Sequence, residues 1–261
     1  MATTRPKVLI TGANGLIGSL TRRGLGDRYE FSGLSRHAVE GIPYTVASIT
    51  DLDAVRGAVA GMDMVLHLAG ETRNDDDWDD HFGVTAGGTV NVFRASAEAG
   101  VKRVVYMSSG STMCGWEWDD SLPYGKLARG EWDAVDTWEL LDDRTPPRPD
   151  SPYGTAKLFG EAVARWFSDR TPMSALVIRL GAVLASNRPK LIRHFPGFLA
   201  QEDAVQMIDC CLKAPADVRF GIFDAISENS KRWRDTSPAK DILGWRPTGS
   251  SDRFDKSELS R

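Results

Sequence analysis

Tyr153 and Lys157 stand four residues apart in SPYGTAKLFGEAVARWF, a spacing that puts a phenol and an ammonium on one face of a helix. A phenol with an ordinary pKa of about 10 is a poor base at neutral pH. Bringing it near 7 takes roughly 4 kcal/mol of preferential phenolate stabilisation, part of which a neighbouring ammonium supplies. Upstream, Val104-Val105-Tyr106-Met107 reads as a strand running into Ser108-Ser109-Gly110-Ser111-Thr112. That places hydroxyls at the carboxyl edge of a parallel sheet, where open α/β sheets bind ligands. The third set is KVLITGANGLIG near the start of the chain, where a strand runs into Gly12, Gly15 and Gly18. Gly12 permits a tight turn, Gly15 a close approach of main chain to a pyrophosphate, and Gly18 close packing of the next helix, whose N-terminus faces the anion. Each motif alone has a plain alternative, a turn needing positive φ or a helix with a half-buried ring. Together they describe a dinucleotide site at which hydroxyl, phenol and ammonium converge.

These groups need a sheet to hold them, and the hydrophobic period switches repeatedly between strand-like and helical, as a doubly wound sheet requires. Strands are expected at 7–11, 29–34, 43–47, 63–68, 103–108 and 175–180, and helices near 16–25, 51–60, 78–99, 152–169 and 202–213. No internal repeat is visible. The stretch 115–149, with Trp116, Trp118, Trp132 and Trp138 among acids and prolines, is too long for a plain connection and is expected to carry short helices. Two readings fit it: a lid over the active site, or a surface elaboration whose tryptophans pack on the fold. The acidic run Asn74-Asp75-Asp76-Asp77-Trp78-Asp79-Asp80 suits the start of a helix, by capping and by the helix dipole, better than a metal site.

TGANGLIG, HLAG at 67–70, the strand ending in two serines and YGTAK together resemble the extended short-chain dehydrogenase/reductases, the NAD-dependent epimerase/dehydratase group, over most of the chain. RPDSPYGTAKLFGEAVARWF, RLGAV, QEDAVQMIDCCLKAP and the late DILGWRP resemble, more narrowly, uronate dehydrogenases and related free-sugar dehydrogenases. The resemblance implies a Rossmann-type fold, a single domain over 1–261, with 182–261 adding a small substrate-binding lobe. It implies Ser109 as the hydroxyl orienting the substrate, Tyr153 as the base and Lys157 as its partner on the ribose. Around the dinucleotide it sets Gly12, Asn14, Gly15, Leu16, Ile17, Gly18, Ser35, Arg36, Ser48, Ile49, Leu68, Ala69, Gly70 and Lys157. Around the substrate it sets Thr72, Ser109, Ser111, Tyr153 and Arg193. Helices 78–99 and 152–169 resemble the pair through which many relatives dimerise, so a homodimer is expected.

The second strand ends in Gly33-Leu34-Ser35-Arg36-His37, without the acid that accepts from the ribose of NAD. A hydroxyl and a guanidinium suit a 2'-phosphate, which favours NADP; an arginine stacked on the adenine of NAD is the alternative. Ser48-Ile49 stands where many relatives carry Asp-Leu. The tail beyond Arg179 is short, which by family analogy favours a free sugar over a nucleotide sugar. Arg193 falls where the resemblance sets a carboxylate-binding arginine, so a carboxylate, phosphate or sulfonate is a candidate partner, a solvated surface arginine being the plain reading. Gly110-Ser111 and Ala182 depart from the Asn-His pair and the serine of uronate dehydrogenases, which puts hexuronate itself in doubt. The reaction expected is oxidation of a small sugar at its anomeric carbon to a lactone. A nucleotide-sugar epimerase or dehydratase holding NAD tightly is the nearest alternative, and a noncatalytic NAD(P)-sensing regulator a more distant one.

Composition narrows the field. A 41% hydrophobic, 26% charged chain is ordinary for a globular protein, and a net charge of -4 gives no reason to invoke nucleic acid. MATTRPK leads straight into a core strand with no signal-peptide pattern, so a cytoplasmic protein with no membrane span is expected. Cys114, Cys210 and Cys211 are too few and wrongly spaced for a disulfide framework or a metal site.

Overall fold

A computed structural model describes residues 5–72 and 77–260, the side chain of Glu258 excepted. Asn74, Asp75 and Asp76 of the acidic run lie outside the described residues. Seven parallel strands form one sheet in the order β3-β2-β1-β4-β5-β6-β7. They are β1 (Lys7–Thr11), β2 (Glu30–Ser35), β3 (Tyr44–Val46), β4 (Met64–His67), β5 (Arg103–Ser109), β6 (Ser174–Leu180) and β7 (Phe220–Ala225). The helices are α1 (Leu16–Leu25), α2 (Leu52–Val59), α3 (Trp78–Asp80), α4 (Gly88–Glu98), α5 (Pro123–Arg129), α6 (Pro152–Arg170), α7 (His194–Gly197), α8 (Gln201–Lys213) and α9 (Ser237–Leu243). A π-helical stretch, His81–Gly87, joins α3 to α4. Asp77 starts that run by accepting the Asp80 N–H at 3.0 Å.

Alternation along the strands decides which helices cover which face. Val8, Ile10, Leu66, Val105, Met107, Leu176 and Ile178 belong to one core with Met207 and Ile208 of α8 and with Leu25 of α1. Leu9, Val65, Val104, Tyr106 and Val177 point the other way, into a core shared with α2, α4 and α6. Burial on both faces is why the strands read as nearly continuous apolar runs. The tail beyond residue 182 is therefore not all lobe, since β7 and α8 complete the layered core. Asp203 of α8 ties DILGWRP to it: its side chain accepts from Thr248 N–H (2.8 Å), Gly249 N–H (2.9 Å) and Ser227 O–H (2.6 Å), while the Trp245 indole donates to its backbone carbonyl at 3.1 Å.

The stretch 115–149 carries short helical elements, α5 among them, around its own cluster of Met113, Tyr124, Leu127, Leu141 and Trp233. Its base is closed where Gly115 N–H donates to the Arg148 carbonyl at 2.7 Å. No helix among the described residues is long and apolar enough to cross a membrane.

Candidate active site

β1 has β2 on one side and β4 on the other, and successive strands depart in opposite directions from that point, the switch at which doubly wound sheets open a crevice. A cleft of about 540 Å³ lies there. Gly12 has φ +72°, and a Cβ added to it would meet the Ala69 nitrogen at 3.0 Å; at Gly18 the clash would be with Ala13 O at 2.7 Å. Gly15 sits at the N-cap of α1, whose first turn has neither a side-chain cap nor an acidic residue. Its amides thus meet the cleft without an internal anion, and the donor set fits a dinucleotide pyrophosphate. All fourteen residues expected around the dinucleotide line this cleft, Lys157 included, as do Val84, Leu180 and Val183, which sequence reasoning missed.

A buried hydrogen-bond chain sets the HLAG segment. Thr89 Oγ1 donates its one proton to the Thr85 carbonyl (2.6 Å), so it accepts from His67 Nε2–H (3.1 Å). His67 Nδ1 then accepts from Thr11 Oγ1 (2.7 Å), which itself accepts the Ala69 N–H (3.1 Å). Full burial holds His67 neutral, its pKa down at about 3. At the end of β2, Ser35 Oγ is turned inward to Asn14 Oδ1 at 2.6 Å, while the half-exposed Arg36 guanidinium lies 3.6 Å from the buried Glu71 carboxylate. Asn91 holds the strip Ser48-Ile49 by donating to the carbonyls of Ile49 and Thr50 at 3.1 Å each.

The catalytic candidates come together where β5 and α6 meet. Ser151 caps α6 by accepting Gly154 N–H at 3.1 Å, and Pro152 suits the first turn. Gly154 has no Cβ to strike Ser111 O, which would lie 2.5 Å away, so the helix start packs directly on the serine loop. Lys157 is buried, donates Nζ–H to the Met107 carbonyl at 2.8 Å, and stands 5.7 Å from the Tyr153 ring centroid. Desolvation lowers its pKa to about 8. His81, in the π-helical stretch, meets the Tyr153 ring edge-on at 5.7 Å; such bulges recur at functional sites. Ser109, Tyr153 and Lys157 all line the cleft.

Beyond Ser109 the cleft gives onto a hollow of about 210 Å³ that shares Ser109, Leu180 and Gly181 with it and is also lined by Ser111, Ala182, Glu117, Asp150, Arg193 and Arg234. Arg193 is there, but its fork is engaged: Nε donates to Glu117 Oε2 at 2.7 Å and Nη2 to Asp150 Oδ2 at 2.8 Å. Arg234, buried, donates to Asp224 Oδ1 at 2.6 Å. A Cβ at position 110 would lie 2.8 Å from the Arg234 guanidinium, which explains why glycine stands there. Behind the hollow, Ser108 donates to Glu161 at 2.6 Å, and Arg179 donates to both oxygens of the same carboxylate at 3.0 and 2.8 Å. Thr72 lines the dinucleotide cleft and not the hollow. Sequence reasoning missed Glu117, Asp150 and Arg234. The signal available was weak: the two acids flank the ends of the long insertion, and Gly110 marks a close neighbour.

The chain is 29% identical over 257 residues, 95% of its length and 95% of the relative's, to an NAD-dependent glucose-6-phosphate dehydrogenase of Haloferax volcanii. It is 28% identical to an L-arabinose 1-dehydrogenase (NAD(P)(+)) of the same organism, covering 94% of this chain and 97% of that one. Among solved structures it is similar to glucuronic acid dehydrogenase from Chromohalobacter salexigens, with TM-score 0.79 and 25% identity over 96% of this chain and 87% of the other. The family description "NAD dependent epimerase/dehydratase family" matches residues 8–241, through both the glycine loop and the Tyr153, Lys157 helix, and the chain belongs to that family.

Proposed function

We propose that this protein is an NAD(P)-dependent dehydrogenase of a small free sugar, oxidising the anomeric carbon to a lactone. The observation that carries this is that Ser109, Tyr153 and Lys157 line one cleft with the glycine loop, and that Ser109 also borders a hollow of about 210 Å³, a size that suits a monosaccharide. The bound nicotinamide supplies a hydride acceptor. Tyr153, as phenolate, takes the proton of the anomeric hydroxyl while the C1–H electron pair leaves and the C1–O double bond forms. The Lys157 ammonium favours the phenolate, and Ser109 donates to the oxygen becoming a carbonyl. The three relatives above, named for a sugar phosphate, a pentose and an acid sugar, support the reaction class.

Both nicotinamide dinucleotides fit this reading. NAD needs only the cleft, and NADP would be admitted by the exposed Arg36 once its guanidinium turns from Glu71 to a 2'-phosphate. A homodimer is supported by an exposed aromatic strip on the expected helices, Trp78, Phe82, Phe159 and Trp166, with Phe82 6.1 Å from Trp78 and 6.5 Å from Phe159; light scattering checks it. Three free thiols suit a reducing compartment, the cytoplasm. The test of the activity is nicotinamide absorbance with a panel of aldoses, uronates and sugar phosphates, with the lactone identified by its hydrolysis to the aldonic or aldaric acid. Turnover of a nucleotide sugar without net cofactor reduction would replace this reading by an epimerase.

A further inference from the structure

The hollow beside Ser109 is built around an arginine that two acids already hold. Arg193 donates to Glu117 Oε2 at 2.7 Å and to Asp150 Oδ2 at 2.8 Å; the two carboxylates are nearly buried, at 9% and 11% exposure, and the guanidinium is half-exposed. The acids arrive from the two ends of the insertion and the arginine from the segment before α7, so three separate pieces of chain converge to make the clamp. We infer that Glu117, with Asp150, closes the charge of the sugar hollow, so that the substrate is a neutral polyhydroxyl sugar and Glu117 is the residue that sets this preference. The inference rests on the sugar dehydrogenase reading above.

The charge inventory of the hollow supports it. Two guanidiniums, Arg193 and the buried Arg234, face three carboxylates, Glu117, Asp150 and Asp224, the last paired with Arg234. Of the remaining titratable groups, His194 is kept neutral by burial and by Arg193 and Lys190, and burial pushes the Cys114 thiol up to about 12. No cation in this set is left without a carboxylate. A sugar carboxylate or phosphate reaching for Arg193 would displace Glu117 or Asp150 and leave it desolvated, beside a second anion. Burial already pushes the Glu117 carboxyl upward, with Arg193 the main opposing influence, so it tolerates that loss poorly. A neutral sugar makes no such demand. Its hydroxyls can donate to the same two carboxylates, since Arg193 uses only one oxygen of each.

The experiment compares kcat/KM with NAD for L-arabinose, D-glucose, D-glucuronate and glucose 6-phosphate on the wild-type protein, Glu117→Gln and Arg193→Met. The wild type should favour the better neutral sugar over both anions by about tenfold or more. Glu117→Gln keeps the shape but removes the negative charge that neutralises one arm of the fork, and the ratio of glucuronate to glucose should rise by about tenfold or more. Arg193→Met, which removes the fork, should bring no such rise. NADH binding reports folding, and should Glu117→Gln lose it, Asp150→Asn, which removes the charge opposite the other arm, carries the same expectation. A wild type preferring either anion, or a ratio unmoved by the folded carboxamide variant, overturns the inference while the dehydrogenase reading stands. No turnover of any of the four sugars overturns both.

Discussion

The cleft at the glycine loop and the hollow lined by Arg193 meet at Ser109, yet they are made differently. The cleft draws much of its wall from two contiguous motifs, Gly12, Gly15 and Gly18 at the turn into α1, and Leu68, Ala69 and Gly70 after β4. The hollow is walled by charged side chains from segments far apart in the chain, Glu117, Asp150, Arg193 and Arg234. A backbone-lined site binds what every such cofactor shares, a pyrophosphate, so local conformation suffices. A site lined by side chains selects among similar polyols, and its character depends on which charges are paired with which.

The variant that separates chemistry from binding most sharply lies on the seam. Tyr153→Phe keeps the ring and its edge contact with His81 but removes the ionisable oxygen, so turnover should fall by on the order of a hundredfold or more while NADH affinity stays near wild type. Stopped-flow turnover and NADH fluorescence titration read the two quantities; a variant that turns over like wild type removes Tyr153 from the mechanism.

The hollow's dependence on paired charge is tested behind it. Glu161→Ala strands the buried Arg179 guanidinium and removes the acceptor of Ser108, and should destabilise the fold by about 3 to 5 kcal/mol in urea unfolding. A loss below about 1 kcal/mol, the size of an exposed pair, would mean that the ionic layer is not structurally important.

On the cleft side, the half-exposed Arg36 is the next target. Arg36→Ala should weaken NADP by about ten- to a hundredfold and NAD little, because only NADP loses a charge-assisted contact. Equal weakening of both cofactors would indicate stacking on adenine instead.

The last test concerns Lys157, buried at the bottom of the cleft with its pKa lowered from 10.5 to about 8. Below pH 8 both folded and unfolded chains carry this charge and the burial penalty is fully felt. Between about 8 and 10.5 the folded state releases its proton first, so this group's contribution to stability rises with pH. Thermal melts of the cofactor-free protein and of Lys157→Met should converge over that window. A difference independent of pH would place the titration elsewhere.

Local rules explain how much could be read without coordinates. Gly12 adopts φ +72° where a turn was expected, and Tyr153 and Lys157 share a face because a helix repeats that way. Four expected helices and six expected strands occur within a residue or two of their anticipated ends, while the helix expected at 78–99 is broken into α3, the π-helical stretch and α4. The seventh strand, Phe220–Ala225, escaped notice because Gly221, Asp224 and Ala225 are poor strand formers. Asp224 is acceptable there only through Arg234, ten residues on, and Arg234 in turn lies where a side chain at position 110 would be.

The sequence alone determined the glycine turn, the shared face of Tyr153 and Lys157 and the layered sheet, since those follow from φ preferences, helical spacing and strand alternation, all properties of short stretches. Only the tertiary structure decided that Arg193 faces the hollow already held by Glu117 and Asp150, 76 and 43 residues away. Ion pairing has no sequence period: it depends on which distant segments the core brings within about 3 Å and on how little water remains between them.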